Sequence, residues 1–416
     1  MPRLRPPSDP VTMQFDGHVV VAERGEPAAV ALVAAGHLAL ARSPKFHRPR
    51  GPSCLRAACD GCLARVDGEP NVMTCRVPAA EGMRIETQNV IGSADTDLLR
   101  MADWFFPEGM NHHELLAGVP GVQRVMQAFA RRVAGLGRLP KETVGPRAAA
   151  RRTVDVLVVG AGASGMASAL ELARRGRRVE VVDDSLVWGG SLRALAGPAR
   201  GAWEALLRAF GEAVAGAEVS LRLETTAAGI YGDDVLVGGP EGIEVVTART
   251  LVLAPGAHDG VLAFEGNDVP GVMSARAAGW LLAQGCTAGQ RMVVTVTEGG
   301  GPFGEALSRA QGDVELVRGL PTRVRGSGRV KEVTVVDGAG ERRLRCDALL
   351  VDAPRAPAYE LCAQAGAELR HEPRGFVVRA AKGGAIRPGV LAVGEVVGTP
   401  LDMAQVIEES RQLVDG

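Results

Sequence analysis

The stretch TVDVLVVG runs at Gly160 straight into the pattern G-x-G-x-x-G and then into SGMASALELARRG, and nothing else in the 416 residues narrows the fold as far. A continuous apolar run of this kind reads as a strand buried on both faces of a parallel sheet. With a helix opening directly after the glycines, the pattern reads as a dinucleotide cradle rather than a chance match. Gly160 permits the sharp turn, Gly162 lets the backbone approach a pyrophosphate, and Gly165 lets the helix pack on the strand. Ala163 and Ser164 fall at the helix start, where free N–H groups face phosphate. The next strand, RRVEVVDD, reaches Asp183, 23 positions after Gly160. A carboxylate there suits ribose hydroxyls and opposes a 2′-phosphate, with Asp184 as the alternative. The competing reading is a glycine-rich turn that holds no ligand.

A second strand, turn, helix and strand begin at Arg291, in RMVVTVT, EGGGPFGEALSRAQ and DVELVRG. Gly299, Gly301 and Gly304 repeat the glycine spacing. Pro302 and Phe303 replace the usual small residues, and no acid ends the following strand: Glu315 lies inside it and Arg318 follows. Two readings stand, a pocket for NAD(P) or an adenine nucleotide, and a Rossmann unit kept only as structure. Two such units predict an α/β fold with two Rossmann-type dinucleotide-binding domains. β-rich segments at 220–255 and 327–352 read as its antiparallel connections.

Ahead of these units, Cys54, Cys59, Cys62 and Cys75 are spaced C-x4-C-x2-C-x12-C. This is plant-type [2Fe–2S] spacing: three thiolates on one tight loop and a fourth from a neighbouring turn. Gly61 relaxes the backbone between two of them, where amides can point at sulfur. The alternative is a four-cysteine zinc site, which usually carries two CxxC knuckles where this chain has one. VTMQFDGHVVVA reads as a hairpin about Asp16-Gly17, and 26–36 as a short helix. Residues 82–91 read as a closing strand. Hairpin, helix and cysteine loop in that order predict an N-terminal β-grasp ferredoxin-like domain. The loop Arg42–Gly51 is basic, either a solvated face or a docking or cofactor-phosphate contact.

The expected organisation is a β-grasp domain over 1–97, a helical or irregular linker over 98–152, a dinucleotide domain over 153–265, a second over 266–355, and a return segment of the first over 356–416. Trp104, Phe105 and Phe106 suggest that the linker covers a neighbour, and VQRVMQAFARRVAGLG reads as its helix.

Composition closes off other classes. Lys+Arg 47 against Asp+Glu 48 leaves a net charge of −1, which opposes nucleic-acid binding. No run is apolar enough to span a membrane and no secretory signal appears, so the expected address is the cytoplasm. Gly is 54 of 416, about 13% against a usual ~7%, an excess that belongs in turns and ligand loops. Trp188-Gly189-Gly190 stands where a disulfide reductase carries its redox cysteines. Cys286, Cys346 and Cys362 are scattered, as are His112-His113, His258 and His371, and all read as structural. No acid–base constellation is visible, so no catalytic residue is named and substrate chemistry is expected outside this chain.

With SPKFHRPRG (43–51), AGLGRLP (134–140), DVLVVGAGASGMASALELA (155–173), LVLAPGAHDGVLAFEGNDVPGVMSA (251–275) and GVLAVGEVVG (389–398), the chain resembles the α-subunits of heteromeric flavin amine oxidases and dehydrogenases. These include the N-terminal half of the sarcosine oxidase α-subunit, the opine oxidase and hydrogen cyanide synthase flavoprotein subunits, and the dye-linked proline or hydroxyproline dehydrogenase α-subunit. The resemblance implies FAD in the first unit, held by Gly160, Gly162, Gly165 and Asp183. It adds Gly190, Ala254 and Gly256, and a late pair, Gly394 and Glu395, beside the flavin ribityl chain or pyrophosphate. Glu395 departs from the family's Asp, and Pro255 from its Ala-Thr-Gly strand end. No counterpart of the folate-binding half appears, so no tetrahydrofolate-linked reaction is expected. The family further implies a flavin-containing β-subunit partner in a hetero-oligomer, sometimes with FMN between subunits. The implied function is electron transfer through FAD and [2Fe–2S] for an amine, imino-acid or opine oxidase or dehydrogenase. Two alternatives are a self-contained NAD(P)H:acceptor reductase and a non-catalytic cluster-bearing scaffold.

Overall fold

The computed structural model describes residues 3–43, 46–88, 90, 97–101, 121–122, 124–125, 145, 148–311 and 313–413. Trp104, Phe105, Phe106, His112-His113 and most of the helix expected over 122–137 lie outside them. The chain forms two compact units: Met1–Val144 with Leu262–Thr295 and Asp313–Val351, and Gly145–Val261 with Val296–Gly312 and Asp352–Gly416. The expected segment 266–355 is thus shared between the units, its glycine turn grouping with the first dinucleotide unit.

The first unit opens on a hairpin, β1 (Pro10–Phe15) and β2 (His18–Glu23), turning at Asp16 and Gly17, both with positive φ. Alternate residues of β1 are buried, as a strand with one face on a core requires. Helix α1 (Ala28–Ala34) buries six of its seven residues. Strands β3 (Leu63–Val66), β4 (Glu69–Met73) and β5 (Arg84–Glu86) complete a sheet of order β2-β1-β5-β3-β4, with β5 parallel to β1. That one parallel pair inside an antiparallel sheet gives the β-grasp arrangement.

The second unit is built on β6 (Ala150–Val159), α2 (Ala163–Arg174) and β7 (Val179–Val182). β6 begins three residues before the expected Thr153. Its basic start is not linker, because Arg152 reaches Glu180 and Glu244 on neighbouring strands. β8 (Val219–Arg222), β9 (Thr226–Tyr231), β10 (Asp234–Gly239) and β11 (Gly242–Leu253) extend the sheet to the order β8-β7-β6-β11-β10-β9. Its core is aliphatic, with Leu157, Leu251, Leu253 and Val390 among the buried residues.

In the first unit a further sheet runs through β12 (Val272–Ser274), β13 (Met292–Val296), β14 (Val314–Gly326), β15 (Val330–Asp337), β16 (Gly340–Arg345) and β17 (Ala348–Asp352), in the order β12-β17-β13-β14-β15-β16. Helix α3 (Phe303–Ala310) follows β13 in the chain and belongs to the second unit. Finally β18 (Ala385–Arg387) and β19 (Val390–Ala392) return to the large sheet, β19 parallel to β11 with Leu253 opposite Ala392. Among the described residues no helix is long and apolar enough to cross a membrane.

Candidate functional site

The cysteine loop of the first unit is shaped by backbone rather than by regular structure. Leu55 and Ala57 adopt left-handed φ of 52° and 58°, unusual for residues with a Cβ. This turns successive amides inward. Arg56 and Ala58 N–H donate to Cys54 Sγ at 3.3 Å, and Ala57 N–H donates to Cys75 Sγ at 3.3 Å. Thr74 donates to Cys62 O through both N–H and Oγ1, which seats the short turn bearing Cys75 against Cys62. Cys54, Cys62 and Cys75 are buried and Cys59 is partly exposed.

The sulfurs stand as two pairs. Cys54 and Cys59 lie 3.4 Å apart, and Cys62 contacts Cys75. The hydrogen bond from Cys54 pulls the Cys59 thiol down to about 5, and the same contact with burial pushes Cys54 up. Cys59 is thus the readier of the two to ionise, and metal binding needs thiolate. Among the described residues no three His, Cys, Asp or Glu side chains converge on one ion. Two thiol pairs with amides aimed at sulfur fit a two-iron cluster better than a single tetrahedral zinc.

The Gly160 turn of the second unit is closed on one side and open on the other. Gly160 has φ +102°, and a Cβ there would lie 2.3 Å from Ala254 O; at Gly165 it would lie 1.8 Å from Gly160 O. At Gly162 nothing lies within 4 Å, so the backbone is bare where a pyrophosphate would approach. Gly190 packs against Gly162 with φ +50°. Asp183 accepts from Ala161 N–H at 2.6 Å and Ser185 N–H at 2.8 Å, which fixes its carboxylate at the lip of the turn. Asp184 is exposed. Gly394, with φ +84°, sits so close to Ser164 that a Cβ would lie 2.5 Å from its Oγ. These residues fit the adenosine diphosphate half of a dinucleotide such as FAD.

Glu395 does not stand free beside this turn. Arg355 Nε donates to its Oε1 at 2.7 Å, in a pair whose side chains are 12% and 14% exposed. The guanidinium also lies 5.0 Å above the Phe303 ring. Gly394 N–H donates to Glu409, whose other oxygen accepts from Thr399 Oγ1, and burial raises the Glu409 carboxyl. Asp352, at the end of β17, accepts from Gly301 N–H at 2.9 Å and Gly304 N–H at 2.6 Å. Asp352, Arg355 and Glu409 escape a reading by motif. Only Asp352 leaves a trace, a carboxylate ending the buried run ALLV.

Burial pushes the Cys286, Cys346 and Cys362 thiols up to about 11, 12 and 12, as for inert core residues. His258 lies 3.6 Å from Glu360 and both are substantially exposed, while His371 meets the edge of Phe376. The basic loop is less a solvated face than its composition suggests. Arg42 is buried and donates to His47 O, Arg50 pairs with Asp268, and His47 Nδ1 meets Asp97 in a buried pair.

Residues 8–90 match the model of a 2Fe-2S iron-sulfur cluster binding domain, and 154–308 that of pyridine nucleotide-disulphide oxidoreductases. The chain is 30% identical over 362 residues to the sarcosine oxidase subunit alpha of Rhizobium meliloti, covering 79% of this chain and 36% of that one. It is 38% identical over 129 residues to hydrogen cyanide synthase subunit HcnB of Pseudomonas aeruginosa, 28% of this chain and 27% of that one. It therefore spans about a third of the length of the curated relatives it matches. L-Proline dehydrogenase from P. horikoshii superposes with a TM-score of 0.72 at 23% identity, covering 98% of this chain and 73% of that one, which shows the fold. An N-terminal 2Fe-2S domain and a two-dinucleotide-domain flavoprotein fold in one chain mark an oxidoreductase, related over 79% of its length to a sarcosine oxidase α-subunit.

Proposed function

We propose that this chain is the electron-transfer subunit of a heteromeric amine, imino-acid or opine oxidase or dehydrogenase, with the C–N bond oxidised on a flavin-containing partner subunit. What supports the reading is the presence in one chain of two thiol pairs and an open glycine turn with Asp183 at its lip. When bound, FAD accepts electrons in pairs and releases them singly, while a [2Fe–2S] cluster carries one at a time. Cys54, Cys59, Cys62 and Cys75 would hold the cluster, with the N–H groups of Arg56, Ala57 and Ala58 placing partial positive charge beside the sulfurs of Cys54 and Cys75 and favouring the reduced form. The turn at Gly160, Gly162 and Gly165 would take the pyrophosphate and Asp183 the ribose of FAD. Both relatives are named as subunits, in keeping with a partner.

The test is the visible spectrum of the anaerobically purified chain with flavin, iron and sulfide quantified, alone and co-expressed with its partner. FAD with two irons and two sulfides per chain, and bleaching by candidate amines only with the partner, are expected. A colourless chain, or bleaching by an amine without any partner, would overturn the proposal.

A further inference from the structure

The two glycine turns share a spacing and differ in what lies over them. At Gly162 a Cβ would meet nothing within 4 Å. At Gly301, the same place in the second turn, it would lie 2.6 Å from Arg355 Nη1 and 3.2 Å from Asp352 Oδ1. Two N–H groups at that turn and the start of its helix, Gly301 and Gly304, already donate to the two oxygens of Asp352. Asp352 is 4% exposed, so its charge is neither swept aside by solvent nor free to rotate away. A dinucleotide pyrophosphate arriving here would meet a fixed negative charge in its own place, and its donors already taken.

We infer that Asp352 is an internal stand-in for a pyrophosphate, which closes the second glycine turn to pyridine nucleotides and leaves the first turn as the only dinucleotide cradle of the two. Arg355 acts with it. The side chain that covers Gly301 also holds Glu395 by an ion pair, so the closed turn serves as a brace for the Gly394–Glu395 segment. The electron donor of this chain is then not NADH or NADPH bound at the second glycine turn. The inference stands on this turn alone and does not depend on the identity of any partner.

The experiment is a titration of the full chain, saturated with FAD, with ADP-ribose, NADH and NADPH by calorimetry, together with anaerobic flavin absorbance. Wild type is expected to show no saturation up to ~1 mM and no bleaching. Asp352→Ser, which frees both amides, is expected to bind ADP-ribose about tenfold or more tightly than wild type. Asp352→Asn, which keeps one acceptor and loses the charge, stands in if the serine variant does not fold. Saturable binding of NADH or NADPH by wild type overturns the inference. So does a folded Asp352 variant that gains no affinity for ADP-ribose, because the carboxylate would then not be what closes the turn.

Discussion

Gly61 offers a direct test of how the cysteine loop is held. A Cβ added there would lie 1.9 Å from Gly51 O and 2.7 Å from Gly51 C, both backbone atoms. An ordinary contact begins near 3.4 Å, so Gly61→Ala requires the two segments to part by about 1.5 Å. Gly51 has little room to adjust, being packed against Leu38 O and Pro270. Overpacking costs ~1–3 kcal/mol, and backbone on both sides puts this site at the upper end. At ~2–4 °C per kcal/mol for a unit of 150–250 residues, ~3 kcal/mol lowers the melting temperature by ~6–12 °C. Because Cys62 is the next residue, the displaced loop also separates the thiol pairs, and iron per chain should fall to a small fraction of wild type. Gly68→Ala is the control. Gly68, unlike Gly61, has positive φ but open space around it, so it carries only the ~1–2 kcal/mol of a left-handed alanine and should keep its iron. Calorimetry with iron and sulfide analysis reads both effects. A Gly61→Ala protein with full iron and a melting temperature within ~1 °C of wild type would refute the close approach of these segments.

Cys62→Ser should abolish the cluster absorbance while leaving flavin content unchanged; coupled loss of both would show that the two sites do not load separately. Asp183→Ala removes the carboxylate at the lip of the first turn. Loss of a charged hydrogen bond, worth ~1.5–3 kcal/mol, should weaken FAD retention ~10- to 150-fold, and unaltered flavin content after dialysis would remove Asp183 from the ribose site. Burial raises the Asp352 carboxyl from an ordinary 3.8 to about 6. The folded state therefore holds that proton more tightly than the unfolded chain. The stability this contributes is present in full below pH ~4 and is lost as pH rises through about 6, roughly 3 kcal/mol in all. Relative to Asp352→Asn, wild type should lose stability between pH 4 and 7, and a difference that stays flat across that range would contradict the burial of an ionising carboxylate.

The parts of the fold that could be read from sequence are those written in short spans. Asp16-Gly17 sets a hairpin, four cysteines within 22 residues set a loop, and strand, glycines and helix around Gly160 follow one another without a gap. What could not be read depends on residues far apart in the chain. His47 meets Asp97 across 50 positions, Arg355 meets Glu395 across 40, and Asp352 meets Gly301 across 51. No local pattern announces such a pair, since each partner alone is an ordinary charged or polar residue. β14 shows a second cause. The expected strand DVELVRG runs on through Pro321, a residue that argues against a strand interior. The ladder accommodates it because the register slips between Pro321 and Arg323.

Two strand ends separate two turns of one spacing. The strands that flank them end alike, in Leu253-Ala254-Pro255-Gly256-Ala257 after β11 and Asp352-Ala353-Pro354-Arg355-Ala356 after β17. Aligned on Ala-Pro, the first has Leu253 and Gly256 where the second has Asp352 and Arg355. Leu253 is fully buried in the aliphatic core and offers nothing to the Gly160 turn, and Gly256 has no side chain to lay over it. At the second glycine turn both positions carry charge, one satisfying the amides of Gly301 and Gly304 and the other covering Gly301 and gripping Glu395. The glycine spacing records only that the backbone can turn. Whether a phosphate can enter is decided at a strand end about 50 residues away, by two side chains that a search for glycines does not see.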